Sequence, residues 1–341
     1  MLKRALVILA GLAAAFALYI AAFLIVNHQV TAAATDLRRT EAPELSEAGS
    51  VIEVLIWNVG YGGLGAGSDF VADGGEHMFP PSRRAVRDNV AGIESFLISQ
   101  ADADVVLIQE LAGSGPVNYW INVRDRVNHA LRDRDVLFYS DFKTRLIPPP
   151  LRLAHGQGIY AARRVEGADI VALPAEDGGF FGVRRRYASP LVRLAGNDNW
   201  TIVSVHLAAF DEDASVRTRQ LRELMTWAEA EYARGRRVII GGDWNFQLAE
   251  TDFAHTTEER FLFWLFPFPM NALPEGWSIA ADSAIPSVRT NHRPYVSGEN
   301  YVTTIDGFIV SPNVEVLSVN GFDLGFAHSD HQPVRLRARA R

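Results

Sequence analysis

Four apolar segments of the chain end in polar or charged side chains, and a fifth segment begins with them. Near-continuous Val, Ile and Leu runs of this length are typical of strands that are covered on both faces. The polar residues that end the four runs are Asn58, Gln109 with Glu110, His206, and Asp243 with Asn245. The fifth segment carries Asp330 and His331 ahead of Val334 and Leu336. Polar groups that follow such strands gather at one sheet edge in α/β folds, so we expect these side chains to form one site.

Two longer segments have helical spacing. Ser82 can cap a helix whose apolar positions 86, 90, 93 and 97 keep a helical period. A second helix is predicted from Ser215 to Arg234, where Gly235 ends it. Shorter elements are expected as a helix near Trp120–Leu131 and as strands near 135–139, 158–163 and 189–194. Runs of strands separated by helices of unequal length predict an α/β fold, with two mixed sheets packed face to face and helices outside.

The N-terminus carries a separate signal. Residues 1–4 include Lys3 and Arg4, and residues 5–26 form an apolar run of about a bilayer's length. We interpret 5–26 as a transmembrane signal anchor, because a cleavable signal has a shorter apolar core. The basic end then stays in the cytoplasm, residues 27–48 form a tether, and residues 49–341 lie outside, in the periplasm or the extracellular space. The alternative is a secreted protein, cleaved near the small residues 31–34.

Composition narrows the chemistry. The net charge of −7 argues against a strong, non-specific polyanion binder, but it does not exclude a nuclease with a local basic patch or a bound cation. The absence of cysteine excludes disulfides, thiolate nucleophiles and cysteine-type zinc sites. Apolar residues make up 48% of the chain, and no linker divides the region after residue 50, so we expect one domain with a substantial core.

Six short motifs occur in an order that resembles the endonuclease/exonuclease/phosphatase superfamily. They are Trp57-Asn58, Gln109-Glu110, Val205-His206-Leu207, Gly242-Asp243-Trp244-Asn245, Thr304-Ile305-Asp306-Gly307 and Ser329-Asp330-His331. The resemblance covers essentially everything after the N-terminal helix and indicates a membrane-anchored, bacterial-type member. It implies a DNase I-like, four-layer α/β sandwich with two mixed β-sheets packed face to face.

The resemblance also implies a role for each motif residue. Glu110 would be the principal ligand of Mg²⁺, or of Mn²⁺ as an alternative ion, with Asn58 and Asp330 as further ligands. His331 would be the general base, oriented by Asp306, because a base of this kind needs a carboxylate that fixes its tautomer. The remaining catalytic residues would act at the phosphate; they are Asp243, Asn245 and His206. His206 would donate to a phosphoryl oxygen or protonate the leaving oxygen.

Other residues allow two interpretations each. Arg289 and Arg163 are candidate substrate contacts. The glycine-rich segment 60–67 is either a flexible loop or a loop that lines the cleft. Arg184–Arg186 is interpreted as a solvated face, and His155, His255 and His292 as structural residues. The aromatic segment 261–269 is interpreted as core or as a hydrophobic rim that touches lipid.

These observations predict a metal-dependent hydrolase of phosphate esters, held at the outer face of a membrane. A phosphodiesterase of the endonuclease type comes first, on the breadth of the superfamily alone. A phospholipid- or sphingomyelin-type phosphodiesterase, or a phosphomonoesterase, is the alternative within the class. A non-catalytic binding module on the same fold is the alternative from another class. The expected partners are the membrane and a nucleic-acid or lipid substrate, and no obligate protein partner is evident.

Overall fold

The computed structural model describes residues 2–28, 37–42, 45–148, 151–176, 183–209, 211 and 213–341. The helices are α1 Leu2–His28, α2 Arg83–Ser99, α3 Val123–Ala130 and α4 Ser215–Ala233. The first strands are β1 Leu37–Thr40, β2 Val51–Asn58, β3 Val105–Gln109, β4 Asp135–Lys143, β5 Ala154–Ala161, β6 Val165–Ala172, β7 Ala188–Leu194 and β8 Trp200–His206. The later strands are β9 Arg237–Asp243, β10 Ser278–Ala280, β11 Val288–Arg289, β12 Val302–Thr303, β13 Asp306–Val310, β14 Val314–Gly321 and β15 Val334–Ala340.

Two mixed sheets form the centre of the domain. The first has the strand order β1-β4-β5-β3-β2-β15-β14 and the second has the order β10-β13-β9-β8-β7-β6. Each sheet contains one parallel pair, β2 with β3 and β8 with β9, among antiparallel neighbours. Strands β11 and β12 form a separate small ribbon. The predicted architecture of two mixed sheets is therefore confirmed.

The alternation of side chains along β2 explains the four layers. Ile52, Val54 and Ile56 belong to the apolar cluster between the two sheets, whereas Leu55 and Trp57 belong to the cluster beneath α2 and α3. Successive side chains of a strand point to opposite faces, so a strand covered on both sides reads as a continuous apolar run. The apolar side of α4 packs on the outer face of the second sheet. The layers are thus α2 and α3, first sheet, second sheet, and α4.

The helix predictions hold with small shifts of their boundaries. Ser82 accepts a hydrogen bond from the backbone N–H of Ala85 and caps α2. Helix α3 begins later than predicted, because Asn122 provides its N-cap. The N-terminal apolar run is one helix, long and apolar enough by composition to cross a membrane.

The segment predicted as a tether, 27–48, is shorter than expected. Within it, β1 pairs with β4 in antiparallel register, Leu37 opposite Tyr139 and Thr40 opposite Val136. Ala48 is buried in the core between the sheets. The domain therefore begins before residue 49, since β1 forms the edge of its first sheet. Residues 29–36 and 43–44 of the predicted tether lie outside the described residues.

A line of buried polar side chains crosses between the two sheets. Gln109 on β3 donates to the Ser204 hydroxyl at 3.1 Å, and Ser204 donates to Gln157 on β5 at 2.8 Å. Gln157 in turn donates to the carbonyl of Ala188. Buried polar groups are costly unless they are hydrogen-bonded, so these contacts fix how the sheets lie on each other.

Gly242 on β9 allows a close approach to β8, its neighbour in the second sheet, which gives a first prediction. Its φ is 144°, and a Cβ there would lie 2.1 Å from the Val205 carbonyl oxygen. We expect Gly242→Ala to lower the free energy of unfolding by about 2 kcal/mol or more, because backbone must move. Urea denaturation measures the effect. Gly67→Ala is the matched control, because a Cβ at Gly67 meets no atom within 4 Å. Equal stability of the two variants would contradict the packing described.

Candidate active site

Strand register brings polar residues at the ends of six strands together. Asp243 at the end of β9 lies opposite His206 at the end of β8 and Asp306 at the start of β13. Asn58 ends β2 in the first sheet, and Glu110 directly follows β3, its parallel neighbour. His331 precedes β15, which pairs with β2. The residues line one cleft, apart from Asn58 and Asp306, which lie directly behind His331 and Asp243.

His331 and Asp306 form a buried pair. The His331 Nδ1 lies 2.8 Å from the Asp306 carboxylate, which also accepts from the Ser287 hydroxyl at 2.7 Å. Trp57 donates to the carbonyl of His331 and holds its backbone. Burial lowers the pKa of His331, but the Asp306 and Asp243 carboxylates outweigh burial and raise this pKa well above its usual value. Burial raises the pKa of Asp306 to about 6.

Glu110 has the features of a cation ligand. Its backbone lies in the left-handed region, with φ of 53°, and its side chain lines the cleft. Its Oε2 atom is buried and has no hydrogen-bond partner among the described residues. Burial, followed by the nearby Asp330 charge, raises the pKa of Glu110 to about 8. A buried carboxylate oxygen without a partner beside other carboxylates fits a hard divalent ion, which prefers oxygen ligands.

Asp330 and Asn58 both lie close to Gly60, at the start of the glycine-rich loop. Asp330 accepts from the Asn291 amide and from the Ser329 hydroxyl. The Asn58 side chain donates to Asp243 at 3.0 Å, and its oxygen accepts from the backbone N–H of Gly60 at 3.0 Å. A Cβ at Gly60 would lie 2.8 Å from Asp330, so only glycine fits there. The loop therefore packs directly against the acidic cluster.

Asp243 lies at the centre of the cluster. Its two oxygens accept from the Asn58 amide and from the backbone N–H of Asn245. The Nε2 atoms of His206 and His331 lie 3.6 Å and 3.7 Å from it. The Asn245 amide donates to the carbonyl of Leu207 at 3.1 Å, which orients it beside the cleft.

Asp243, Asp306 and His331 also offer ligand atoms within 4.8 Å of one another. The 2.8 Å contact between Asp306 and His331 Nδ1 is, however, a hydrogen bond, which a metal at that point would break. Glu110 is the better candidate for the principal ligand because its buried oxygen has no competing partner among the described residues.

Arg185 belongs to the site, which corrects the interpretation of Arg184–Arg186 as a solvated face. Its guanidinium lies 2.7 Å from His206 Nδ1 and 2.9 Å from Asp141. A guanidinium only donates, so His206 Nδ1 accepts and the proton of the neutral ring sits on Nε2, toward Asp243 and Glu110. Burial and the Arg185 charge hold the pKa of His206 well below its usual value. His206 is thus a neutral donor aimed into the cleft.

Asp141 completes a second charged pair behind the cleft. Burial raises the pKa of Asp141, but Arg185 and His155 outweigh it and hold this pKa well below its usual range. His155 lies 3.1 Å from Asp141 and stacks on Phe142, with 5.0 Å between ring centroids. Asp141 sits within β4 and has no distinctive neighbours in the sequence. No pattern in the sequence links Asp141 to Arg185, and the ion pair between them is visible only in the structure.

The two arginines proposed as substrate contacts have other roles. Arg289 is buried and donates to the carbonyls of Leu64 and Gly65, so it holds the glycine-rich loop against the cleft. Arg163 forms an ion pair of 2.7 Å with Asp104 at the opposite end of β3. The assignment of Arg163 to the substrate is therefore wrong in this structure. Arg289 supports the site by holding the loop in place. Of its three side-chain nitrogens, only the buried Nε has no hydrogen-bond partner among the described residues.

The aromatic segment 261–269 divides between core and surface. Trp264 is buried and lines the cleft, whereas Phe263 is exposed. Phe261 stacks on His292 at 4.2 Å, and His255 packs edge-on against Tyr301. Both histidines, His255 and His292, pack against aromatic rings, which is typical of a structural role.

Two mixed sheets packed face to face place carboxylate, amide and imidazole groups along one edge, and this arrangement is suited to hydrolysis of phosphate esters. The sequence profile of the Endonuclease/Exonuclease/phosphatase family matches residues 55–331. The chain belongs to this family and is a phosphoric ester hydrolase. A search of curated proteins gave no match.

Solved structures share the fold at low sequence identity. The endonuclease/exonuclease/phosphatase from Beutenbergia cavernae DSM 12333 is 15% identical, with a TM-score of 0.57 over 86% of this chain and 72% of that chain. The enzyme of the same description from Bacteroides vulgatus is 16% identical, with a TM-score of 0.55 over 86% and 100%. D. rerio TDP2, solved with a single strand DNA product, is 16% identical, with a TM-score of 0.54 over 86% and 100%.

The raised carboxyl pKa of Glu110 predicts how stability depends on pH. Between its ordinary value of 4.5 and about 8, the folded chain holds a proton that the unfolded chain releases. Stability of the metal-free protein should therefore fall as pH rises through this window, by on the order of 2 kcal/mol. Urea midpoints measured in EDTA from pH 5 to 8 test this. Glu110→Gln should flatten the profile, and an unchanged slope in that variant would contradict the assignment.

Proposed function

We propose that the chain is a divalent-metal-dependent phosphodiesterase in which His331 is the general base and Glu110 the principal metal ligand. The observation that carries the proposal is the 2.8 Å contact between His331 Nδ1 and Asp306. It leaves the His331 Nε2 atom facing the cleft, where Asp243 and Glu110 stand. Imidazole, orienting carboxylate and a partner-free carboxylate are the groups that activation of water beside a cation requires.

His331 takes the proton of the attacking water on Nε2. Asp306 accepts from Nδ1 and stabilises the imidazolium that forms. Asp243 and Asn245 position the nucleophile and the phosphate. The backbone N–H of Asn245 donates to the Asp243 carboxylate and holds the two residues together. His206, neutral and held by Arg185, donates its Nε2 proton to a phosphoryl oxygen or to the leaving oxygen.

The proposed cation is Mg²⁺, with Mn²⁺ as an alternative. Glu110 would hold it, with Asp330 and Asn58 as further oxygen ligands, directly or through water. When bound, the ion neutralises charge on the phosphate and lowers the pKa of water near it. Its positive charge would also offset the carboxylates that raise the pKa of His331, which makes the neutral, basic ring accessible near neutral pH.

We further propose that α1 stays attached as a membrane anchor, with the basic N-terminal end in the cytoplasm and the domain outside. The length of the helix and the Lys3-Arg4 pair support this topology. Removal of the helix by signal cleavage is the alternative. A non-catalytic binding module is not retained, because the acid–base residues are complete.

The substrate class is tested with full-length protein in detergent, supplied with Mg²⁺ or EDTA. Hydrolysis of bis-p-nitrophenyl phosphate measures phosphodiesterase activity. Plasmid DNA and sphingomyelin represent the two candidate substrate classes, nucleic acid and lipid. Turnover that resists EDTA would overturn the proposed cation.

Separate roles for Glu110 and His331 predict different responses to magnesium. Glu110→Gln should weaken magnesium dependence, and excess metal should partly restore activity. His331→Ala should lower turnover by roughly 10²–10⁴-fold, the usual contribution of general acid–base catalysis, without rescue by metal. A magnesium titration of both variants at fixed pH measures this. Equal rescue of both, or near-normal turnover in His331→Ala, would show that the roles are wrongly assigned.

Asp306 sets the pH at which His331 becomes a base. Its negative charge raises the pKa of His331, so Asp306→Asn should lower that pKa and move the acid limb of the rate profile to lower pH. Turnover at the plateau should also fall, by about 10-fold or more, because the ring loses its orienting acceptor. The exposed Asp88→Asn on α2 is the control. An acid limb that stays in place would contradict the pairing.

A further inference from the structure

The β4–β5 loop, which the structure describes as residues 144–148 and 151–153, has the composition of a membrane-interface segment. Leu146 and Leu151 are 47% and 58% exposed. Arg145 and Arg152 lie on either side of them and are exposed as well. No acidic residue occurs from 142 to 153, although the whole chain carries a net charge of −7. Exposed leucines flanked by arginines suit the boundary between acyl chains and anionic headgroups.

Helix α1 is bound directly to this loop. The Asn27 side chain donates to the carbonyl of Arg145 at 3.0 Å and accepts from its backbone N–H at 2.8 Å. The Arg184 N–H donates to the Asn27 carbonyl. Farther up the helix, the Tyr19 hydroxyl donates to the carbonyl of Leu146 at 2.7 Å. These contacts fix the loop beside the last turns of the helix.

The attachment sets the depth of the loop. Tyr19 and Asn27 are separated by eight positions, or about 12 Å along a helix that rises 1.5 Å per residue. The apolar run of the helix ends at Val26, next to Asn27. If the helix spans the bilayer, a loop that reaches Tyr19 must lie among the headgroups and the first part of the acyl chains.

The same loop forms one wall of the cleft. Leu151 and Leu153 line it together with Glu110 and His331. On another side, Met78 and Phe79 line the cleft and remain partly exposed. Two basic side chains line the cleft, Arg185 and Arg289, and both are paired with protein groups. A nucleic acid is held chiefly through exposed basic contacts to successive phosphates. The exposed arginines of the loop, Arg145 and Arg152, do not line the cleft.

We propose that the β4–β5 loop inserts into an anionic bilayer surface and that the cleft takes its phosphate ester from that surface, as a substrate with an apolar chain. The depth of insertion rests on the proposed membrane anchor, and the substrate rests on the proposed phosphodiesterase site. The loop places the cleft at the level of lipid phosphates, and the apolar rim contacts the chain of the substrate. DNA cleavage without lipid dependence is the competing outcome.

The absence of cysteine makes insertion directly measurable. Leu151→Cys in the full chain is labelled with an environment-sensitive nitrobenzoxadiazole dye and reconstituted in phosphatidylcholine–phosphatidylglycerol vesicles. We expect a blue-shifted emission and quenching by lipids that carry a nitroxide near the headgroup. Ile98→Cys on α2, 55% exposed, is the matched control and should show neither effect. Equal, weak quenching at both positions would overturn the insertion.

The substrate is tested by comparing two rates in the same vesicles. Leu146→Asp should lower the ratio of vesicle-borne phosphodiester hydrolysis to bis-p-nitrophenyl phosphate hydrolysis by 10-fold or more, whereas Ile98→Asp should leave the ratio unchanged. No hydrolysis of either ester by the wild-type chain would overturn the proposed function itself. Hydrolysis of the soluble ester with an unchanged ratio in Leu146→Asp, or a preference for DNA over the vesicle-borne ester, would overturn only the lipid substrate.

Discussion

The packing of the two sheets is the constraint on which the rest of the structure depends. Glu110, Asn58 and His331 belong to the first sheet, and Asp243, His206 and Asp306 to the second. The pair of His331 with Asp306 joins a residue of the first sheet to a residue of the second. The 3.0 Å contact between Asn58 and Asp243 crosses from one sheet to the other. A shift of one sheet on its partner would therefore separate the base from its carboxylate and the proposed ligand from the phosphate.

The site concentrates negative charge where water is scarce. Burial raises the pKa of Glu110 to about 8 and of Asp73, at the edge of the cleft, to about 7, with Asp330 contributing to both. The two guanidiniums that reach the region, Arg185 and Arg289, are engaged by Asp141 and by loop carbonyls. The arrangement leaves an excess of carboxylate that a divalent cation would balance. The same crowding of carboxylates that lowers stability without an ion would favour binding of one.

The sequence predicts the strands and their polar ends well, because buried strands are long apolar runs and the motif order limits the assignments. It predicts α2 through Ser82 and the helical spacing. Arg185 could not be predicted, since it stands between two other arginines and only the partner on β4 distinguishes it. Arg289 was placed near the site, but its contacts are backbone carbonyls, which no side-chain pattern reveals. Strand β1 was missed because Arg38, Arg39 and Thr40 at a sheet edge read as a polar tether.

The position of the last strand has a consequence for how the protein is made. Strand β15 lies between β2 and β14, so the strand formed last in the sequence is inserted into the interior of the first sheet beside one of its earliest strands. His331 directly precedes β15, and the carbonyl of His331 accepts from Trp57 on β2. Until β15 pairs with β2, the first sheet has a gap and His331 has no fixed position. The polar cluster therefore becomes complete only in the last step of sheet assembly, and a partly folded chain lacks the group proposed as the base.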